Sequence, residues 1–266
     1  MSIRTGNIRY PVPLSVIAII CLLFVCCLPG LSQPAVTNFQ DYLIAPLRIH
    51  LLSAKLEPRI TTTLTTDDFD RILKKMNLVW SQAGITFYLE SIVKEEAANA
   101  NWYEQNERPP DGHGLLAFRP QASLASNMFH IYYVKEIAPN GIFLGPAIFV
   151  KDTARLRQVK DGLDEPLPRV SSHELGHALG LDHRQNTTNL MASGTTGFWL
   201  DDSEIKQAKT TAAELKWIES APAILKRADD LYRSNDLAAA RLLYKRLAAI
   251  PINAPELDLA RTHAEK

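Results

Sequence analysis

Apolar and polar positions along the chain follow two periods. "PLRIHLLSA" alternates Leu47, Ile49 and Leu51 against Arg48 and His50, the two-residue period of a half-buried strand. In "TTDDFDRILKKMNLVWSQAG", Phe69, Ile72, Leu73, Met76, Trp80 and Ala83 recur every three or four positions, which predicts an amphipathic helix. Thr65 or Thr66 serves as its N-cap, Asp67 and Asp68 occupy its first turn, and Gly84 lies just past its end. "ITFYLESIV" reads as a second strand. Residues 97–127 are polar and carry Pro109, Pro110, Gly112, Gly114 and Pro120, which predicts a long surface loop. "MFHIYYVKEI" is a third strand. "GIFLGPAIFVKD" is a fourth, interrupted at Gly145–Pro146; proline cannot donate to a ladder, so this strand belongs at an edge or carries a bulge.

Further on, "LDDSEIKQAKTTAAELKWI" predicts a helix opened by Asp201 and Glu204 at capping-box spacing and ended before Pro222. From Ala223 the text is rich in alanine and leucine, helical, and free of strand signals. "LYRSNDLAAARLLYKRLAAIPIN" resembles a tetratricopeptide repeat: a helix, a tight turn at Asn235–Asp236, then Ala240 and Tyr244 where two helices pack. Asn235 stands where a glycine is usual, and Pro251 comes one position early. One such repeat cannot bury its own face, so it packs on the preceding body or on another chain.

The apolar run Leu14–Leu28 follows Arg4 and Arg9 and is bounded by Pro13 and Pro29. Its 15 residues fall short of a bilayer span, which takes about 20. It reads as a secretory signal with cleavage after Ser32 or after Ala35, the alternative being an uncleaved N-terminal anchor. Either exports the body of the protein, giving a secreted, periplasmic or membrane-anchored product. All three cysteines (Cys21, Cys26, Cys27) lie in this run, which excludes a disulfide framework, a cysteine nucleophile and a thiolate metal site from the body. Net charge is zero without a basic run, so no nucleic-acid partner is expected. The expected organisation is a signal peptide or anchor over 1–32, a linker over 33–44, a catalytic domain over 45–218 and a helical tail over 222–266.

The chemistry concentrates in "HELGHALGLDH", His173 to His183, which holds three of the chain's seven histidines. His173 and His177, four apart, share one helix face and can supply two zinc ligands. Glu174 beside them can reach a zinc-bound water. Gly180 suits the left-handed backbone that ends a helix, and the turn swings His183 in as a third ligand. Three protein nitrogens leave a fourth position open, the catalytic arrangement rather than the closed structural one. Coincidence of all five positions is on the order of one in 10^5 for this chain length.

The motif resembles the H-E-x-x-H-x-x-G-x-x-H signature of the metzincin metallopeptidases. Met191 in "TNLMAS" follows His183 by eight residues, a spacing similar to that of the matrixins, and "LDDSEIKQA" resembles their last catalytic-domain helix. The resemblance spans about residues 45–217 and is most specific over 173–191. It implies an α+β catalytic domain: a twisted mixed sheet with an edge strand over the cleft, an active-site helix and a Met-turn, to which a small C-terminal helical hairpin is added. It implies an exported endopeptidase with one catalytic Zn2+ on His173, His177 and His183, hydrolysing protein or peptide substrates by a zinc-activated water with Glu174 as general base. Oxyanion stabilisation falls to the metal, and Met191 forms an apolar floor beneath it. The edge strand "GIFLGPAIFV" would pair with an extended peptide. Ala192–Trp199 would wall the specificity pocket, with Phe198 and Trp199 lining it or packing beneath.

Three features depart from the clan. No tyrosine lies two residues after Met191, so the extra tyrosine ligand of some members is missing. The cysteine-bearing pro-segment of a latency switch is absent, as are the C-x-x-C additions of archaemetzincins. His113 with Asp111 is a second metal candidate, although no further ligand spacing accompanies it. The competing function is a metal-stabilised interaction module presenting the helical hairpin to a partner, with little or no peptidase activity. The intact Glu174 argues against it.

Overall fold

Strand β1 (Leu43–Ser53) is buried on both faces, because helices and a folded-back segment cover the sheet from opposite sides. In this computed structural model, residues 38–101 and 112–265 are described. The expected export segment and the side chains of the Asp111–His113 pair lie outside them. No helix among the described residues is long and apolar enough to cross a membrane.

The sheet order is β2 (Ile85–Glu96), β1, β3 (Phe129–Val134), β5 (Ile148–Lys151), β4 (Gly141–Phe143). β1 runs parallel to β2 and β3, β3 parallel to β5, and β4 antiparallel to β5. On one face Leu47, Ile49 and Leu51 pack with Phe69, Met76 and Trp80 of α1 (Asp68–Trp80) and with Val170 and Leu175 of α2 (Pro166–Ala178). α3 (Asp202–Glu214) adds Ala208 and Ala212 to the same core. A two-residue strand, β6 (Glu219–Ser220), pairs with the start of β1 and leads into α4 (Ala221–Arg233), α5 (Leu237–Ala248) and α6 (Pro255–Glu265).

Four expectations change ahead of the C-terminal helices. The segment 97–127, expected as a surface loop, carries 3-10 turns at Gly112–Phe118 and Gln121–Ser123. It buries Leu115 and Phe118 against Leu52, Tyr132 and Phe149 on the second face of the sheet. The expected linker 33–44 is structured where described: Phe39, Tyr42 and Ile44 are buried among Ile224, Tyr244 and Leu247 of the C-terminal helices, and β1 begins at Leu43. "GIFLGPAIFVKD" is not one strand; the chain reverses at Gly145–Pro146, where Leu144 N–H donates to Ala147 O (2.8 Å), and becomes the β4–β5 hairpin. Neither threonine caps α1: the Asp68 carboxylate accepts from the N–H (2.9 Å) and hydroxyl of Thr65, and the N-cap is Asp67.

The second face of β1 also holds a buried polar row, which is why His50 interrupts the apolar pattern without reaching solvent. Ser123 Oγ donates to Glu95 Oε1 (3.0 Å), which lies 2.5 Å from His50 Nδ1. His50 Nε2 lies 2.9 Å from His130 Nδ1, and His130 Nε2 donates to Ala125 O (2.8 Å). Burial lowers the His50 pKa to about 3, lowers that of His130, and raises that of Glu95.

The C-terminal text forms three helices rather than a hairpin. α4 and α5 meet through a turn in which Asn235 takes a left-handed backbone (φ 64°), and the Asp236 side chain caps α5 by accepting from Ala239 N–H (3.2 Å). Ala240 and Tyr244 are buried between helices, and the Tyr244 hydroxyl donates to Asp229 (2.7 Å).

Candidate metal centre

α2 begins with Pro166 and Pro168 in its first turn, where their missing N–H groups have no helical partner to lose. Glu165, just ahead, binds Lys75 (3.0 Å) and Arg71 of α1, which fixes where α2 starts. It ends at Leu179–Gly180: Gly180 adopts φ 84°, its N–H donates to His177 O (3.0 Å), and Leu181 N–H donates to Gly176 O (2.9 Å). These paired bonds make a Schellman turn, and it reverses the chain so that His183 faces the helix it has left.

The three expected ligands meet. His173 Nε2 lies 3.3 Å and His177 Nε2 3.2 Å from His183 Nε2. A regular tetrahedron of nitrogens at the usual zinc distance has edges of about 3.3 Å. The ring tautomers suit a cation. His173 Nδ1 donates to Leu190 O (2.8 Å) and His177 Nδ1 donates to Leu181 O (2.8 Å), so both Nε2 lone pairs point at the shared centre. Burial lowers the pKa of His173 to about 3 and lowers that of His177, which keeps both rings neutral and available as ligands. The donor set therefore fits a metal ion, and His173, His177 and His183 are the residues that would hold it.

Glu174 is 6% exposed and points at edge strand β4. Burial pushes its pKa up to about 7, opposed by the Arg169 guanidinium and by an N–H bond from Phe143. The approach requires Gly141: a Cβ there would stand 2.8 Å from Glu174 Oε1 and 2.5 Å from Val170 Cγ1. The ladder also sets which groups β4 leaves open. Asn140 and Leu144 bond to β5 (Lys151 N–H to Asn140 O, 2.8 Å; Leu144 N–H to Ala147 O, 2.8 Å). Alternation puts Ile142 in the same inward phase and turns the backbone polar groups of Gly141 and Phe143 outward, over a cleft of about 670 Å3.

Met191 is wholly buried beneath α2, with its Sδ 2.5 Å from where a Gly176 Cβ would be. Its loop is held by residues the motif does not include. Met191 N–H donates to Asn189 Oδ1 (2.6 Å), Asn189 Nδ2 donates to Glu204 Oε2 (2.6 Å), and Arg184 Nε donates to Glu204 Oε1 (3.0 Å). Glu204 is the N3 residue of the α3 capping box, as its spacing from Asp201 indicates, and it is fully buried. One carboxylate thus ties α3 to the residue following His183 and to the loop carrying Leu190. Glu204→Ala is expected to weaken Zn2+ binding by about 10- to 100-fold, read by competition with a coloured chelator. Wild-type affinity in the folded variant would mean the network does not hold the ligands.

Within Ala192–Trp199, Ser193 and Gly194 line the cleft. Phe198 and Trp199 do not: they stack on each other (centroids 4.6 Å apart), and Phe198 packs against the core. Sequence reading missed Arg169, Gly141, Asn189 and the reach of Glu204. Only Arg169 carried a usable signal, standing four residues before His173 on the same helix face.

No family model matches the chain, and no curated protein matches its sequence. Among solved structures, the chain is similar to archaemetzincin from Methanopyrus kandleri at 13% identity, over 67% of this chain and 100% of that one, with a TM-score of 0.45. It is also similar to metalloproteinase-II from Bacteroides fragilis at 14% identity and a TM-score of 0.37, over 67% of this chain and 55% of that one, so about half of that protein's length is spanned.

Proposed function

We propose that the chain is an exported zinc endopeptidase of metzincin type, with the Leu14–Leu28 segment directing export. The observation that carries the reading is the convergence of three imidazole nitrogens, 3.2–3.3 Å apart, beside a buried carboxylate and an outward-facing strand edge. His173, His177 and His183 hold one zinc ion. Bound there, zinc supplies Lewis acidity, drawing the pKa of water toward neutrality and polarising a carbonyl. Gly141 and the Phe143 carbonyl offer outward backbone groups to an extended peptide, which lies along β4 as an added strand. Glu174 accepts a proton from the attacking water and returns it to the leaving amine. Phe143 N–H orients the Glu174 carboxylate, and Val170 Cγ1 lies with it against Gly141. Met191 supports the ligand helix from below, in the manner of a Met-turn.

The test is metal content and cleavage on purified residues 33–266. Stoichiometric zinc and cleavage of a broad peptide library, abolished by a chelator and restored by Zn2+, are expected. Folded protein that takes up no zinc would end the proposal. Zinc without cleavage would favour the interaction-module reading.

A further inference from the structure

Arg169 lines the cleft but has no part in the proton transfers assigned to Glu174. It shares a face of α2 with His173 and His177 and is 2% exposed. Nε donates to Gly197 O (3.0 Å), and Nη2 donates to Leu190 O (2.7 Å) and to Ala192 O. These bonds fasten the loop that carries Met191, and they use the Nε proton and both Nη2 protons, leaving the two protons of Nη1. Nη1 forms no hydrogen bond with a described residue, and no carboxylate among the described residues is within ion-pair distance of the group. The charge facing it is Glu174, which acts at longer range. Burial lowers the Arg169 pKa only to about 10, so it is a cation at neutral pH.

A buried cation without a close counter-ion costs several kcal/mol. Neutral donors would fasten three carbonyls without that cost. A full charge with Nη1 open therefore has a use beyond holding the loop, and the open group belongs to a residue of the cleft wall. Nearby, Leu156 and Val170 are apolar and Ser193 and Gly194 are small, which leaves room for a short side chain to reach in.

The geometry points to Arg169 as a specificity-determining residue: its open Nη1 group donates to a carboxylate of the substrate between α2 and the Ser193–Gly194 turn, next to the scissile bond. The substrate class is an acidic peptide. Two sources share this chemistry, an Asp or Glu side chain within a chain and the C-terminal carboxylate of a short peptide. The inference rests on the peptidase reading for what happens to the bound peptide, but not for the binding itself.

The experiment has two arms. In the first, quenched peptides with Glu, Gln or Leu walked through each position of a neutral sequence, with free or amidated C-termini, are cleaved by the zinc-loaded wild type. A Glu-over-Gln ratio in kcat/KM on the order of 100-fold at one position is expected, falling with added salt and collapsing toward one in Arg169→Met. Arg169→Lys, which keeps the charge if the methionine variant fails to fold, should retain part of the preference. A gain from the free C-terminus alone would assign the carboxylate to the chain end. In the second arm, binding of the same peptides to zinc-loaded Glu174→Gln protein is measured by calorimetry.

Cleavage that ignores acidic residues would leave the peptidase standing and overturn the role of Arg169. Acid-selective binding lost in an Arg169→Met/Glu174→Gln double variant, with no peptide cleaved by wild type, would sustain the role and overturn the peptidase. Neither selective binding nor cleavage would overturn both.

Discussion

Glu174→Gln is expected to lower kcat for peptide cleavage by about 10^3-fold while leaving zinc content unchanged. The substitution keeps the volume of a side chain that is 6% exposed, so it opens no cavity. The amide oxygen can still accept the Phe143 N–H, which keeps β4 in place. What it loses is the lone pair that takes a proton at neutral pH. Glu174 is not among the three clustered ligand residues, so the variant keeps the full set of protein ligands. Zinc analysis and cleavage on the two purified proteins check this. A variant retaining more than a tenth of wild-type kcat would show that another group moves the proton.

Tyr244→Ala is expected to destabilise the whole chain by about 3–5 kcal/mol and lower Tm by about 10 °C. The ring is 1% exposed, and its hydroxyl donates to Asp229 (2.7 Å), so the change leaves a cavity and an unpaired carboxylate. Its cluster joins Leu247 and Ile224 to Phe39, Tyr42 and Ile44, and Tyr42 O accepts from Ala221 N–H (2.8 Å) where the tail begins. The loss should therefore be felt at the central strand. Calorimetry is expected to show one transition shifted as a unit. A separate low-temperature transition, with the main one unmoved, would show instead that α4–α6 melt independently of the sheet.

What could be read in advance was local. The ligand spacing, Gly180, the capping box and the amphipathic face of α1 each involve residues within about two helical turns, so period and residue type suffice. What could not be read depended on distant partners. Arg48 and His50 looked like the wet side of β1, because nothing nearby announces that Glu90, Glu95, Ser123 and His130 come from elsewhere to meet them. Phe39 and Tyr42 looked like linker residues because their cover arrives some 180 residues later in the chain, at Ile224. Arg169 stands on the face of His173 and His177, but its hydrogen-bond partners lie far along the chain. Only folding puts the carbonyls of Leu190, Ala192 and Gly197 around it.

The row from Ser123 to Ala125 has a direction. Ala125 O can only accept, so His130 must give it the Nε2 proton and receive at Nδ1. His50 must then give from Nε2 and receive at Nδ1, and Glu95 and His50 must share one proton between them. No member can turn over alone, so the centre of the sheet counts protons as one body. Glu95→Gln can keep the row complete by aiming an amide N–H at His50. Glu95→Leu or His130→Phe breaks it from opposite ends, each leaving a lone pair or a proton unanswered. The second break adds little once the first is made, and two positions on different strands act as one.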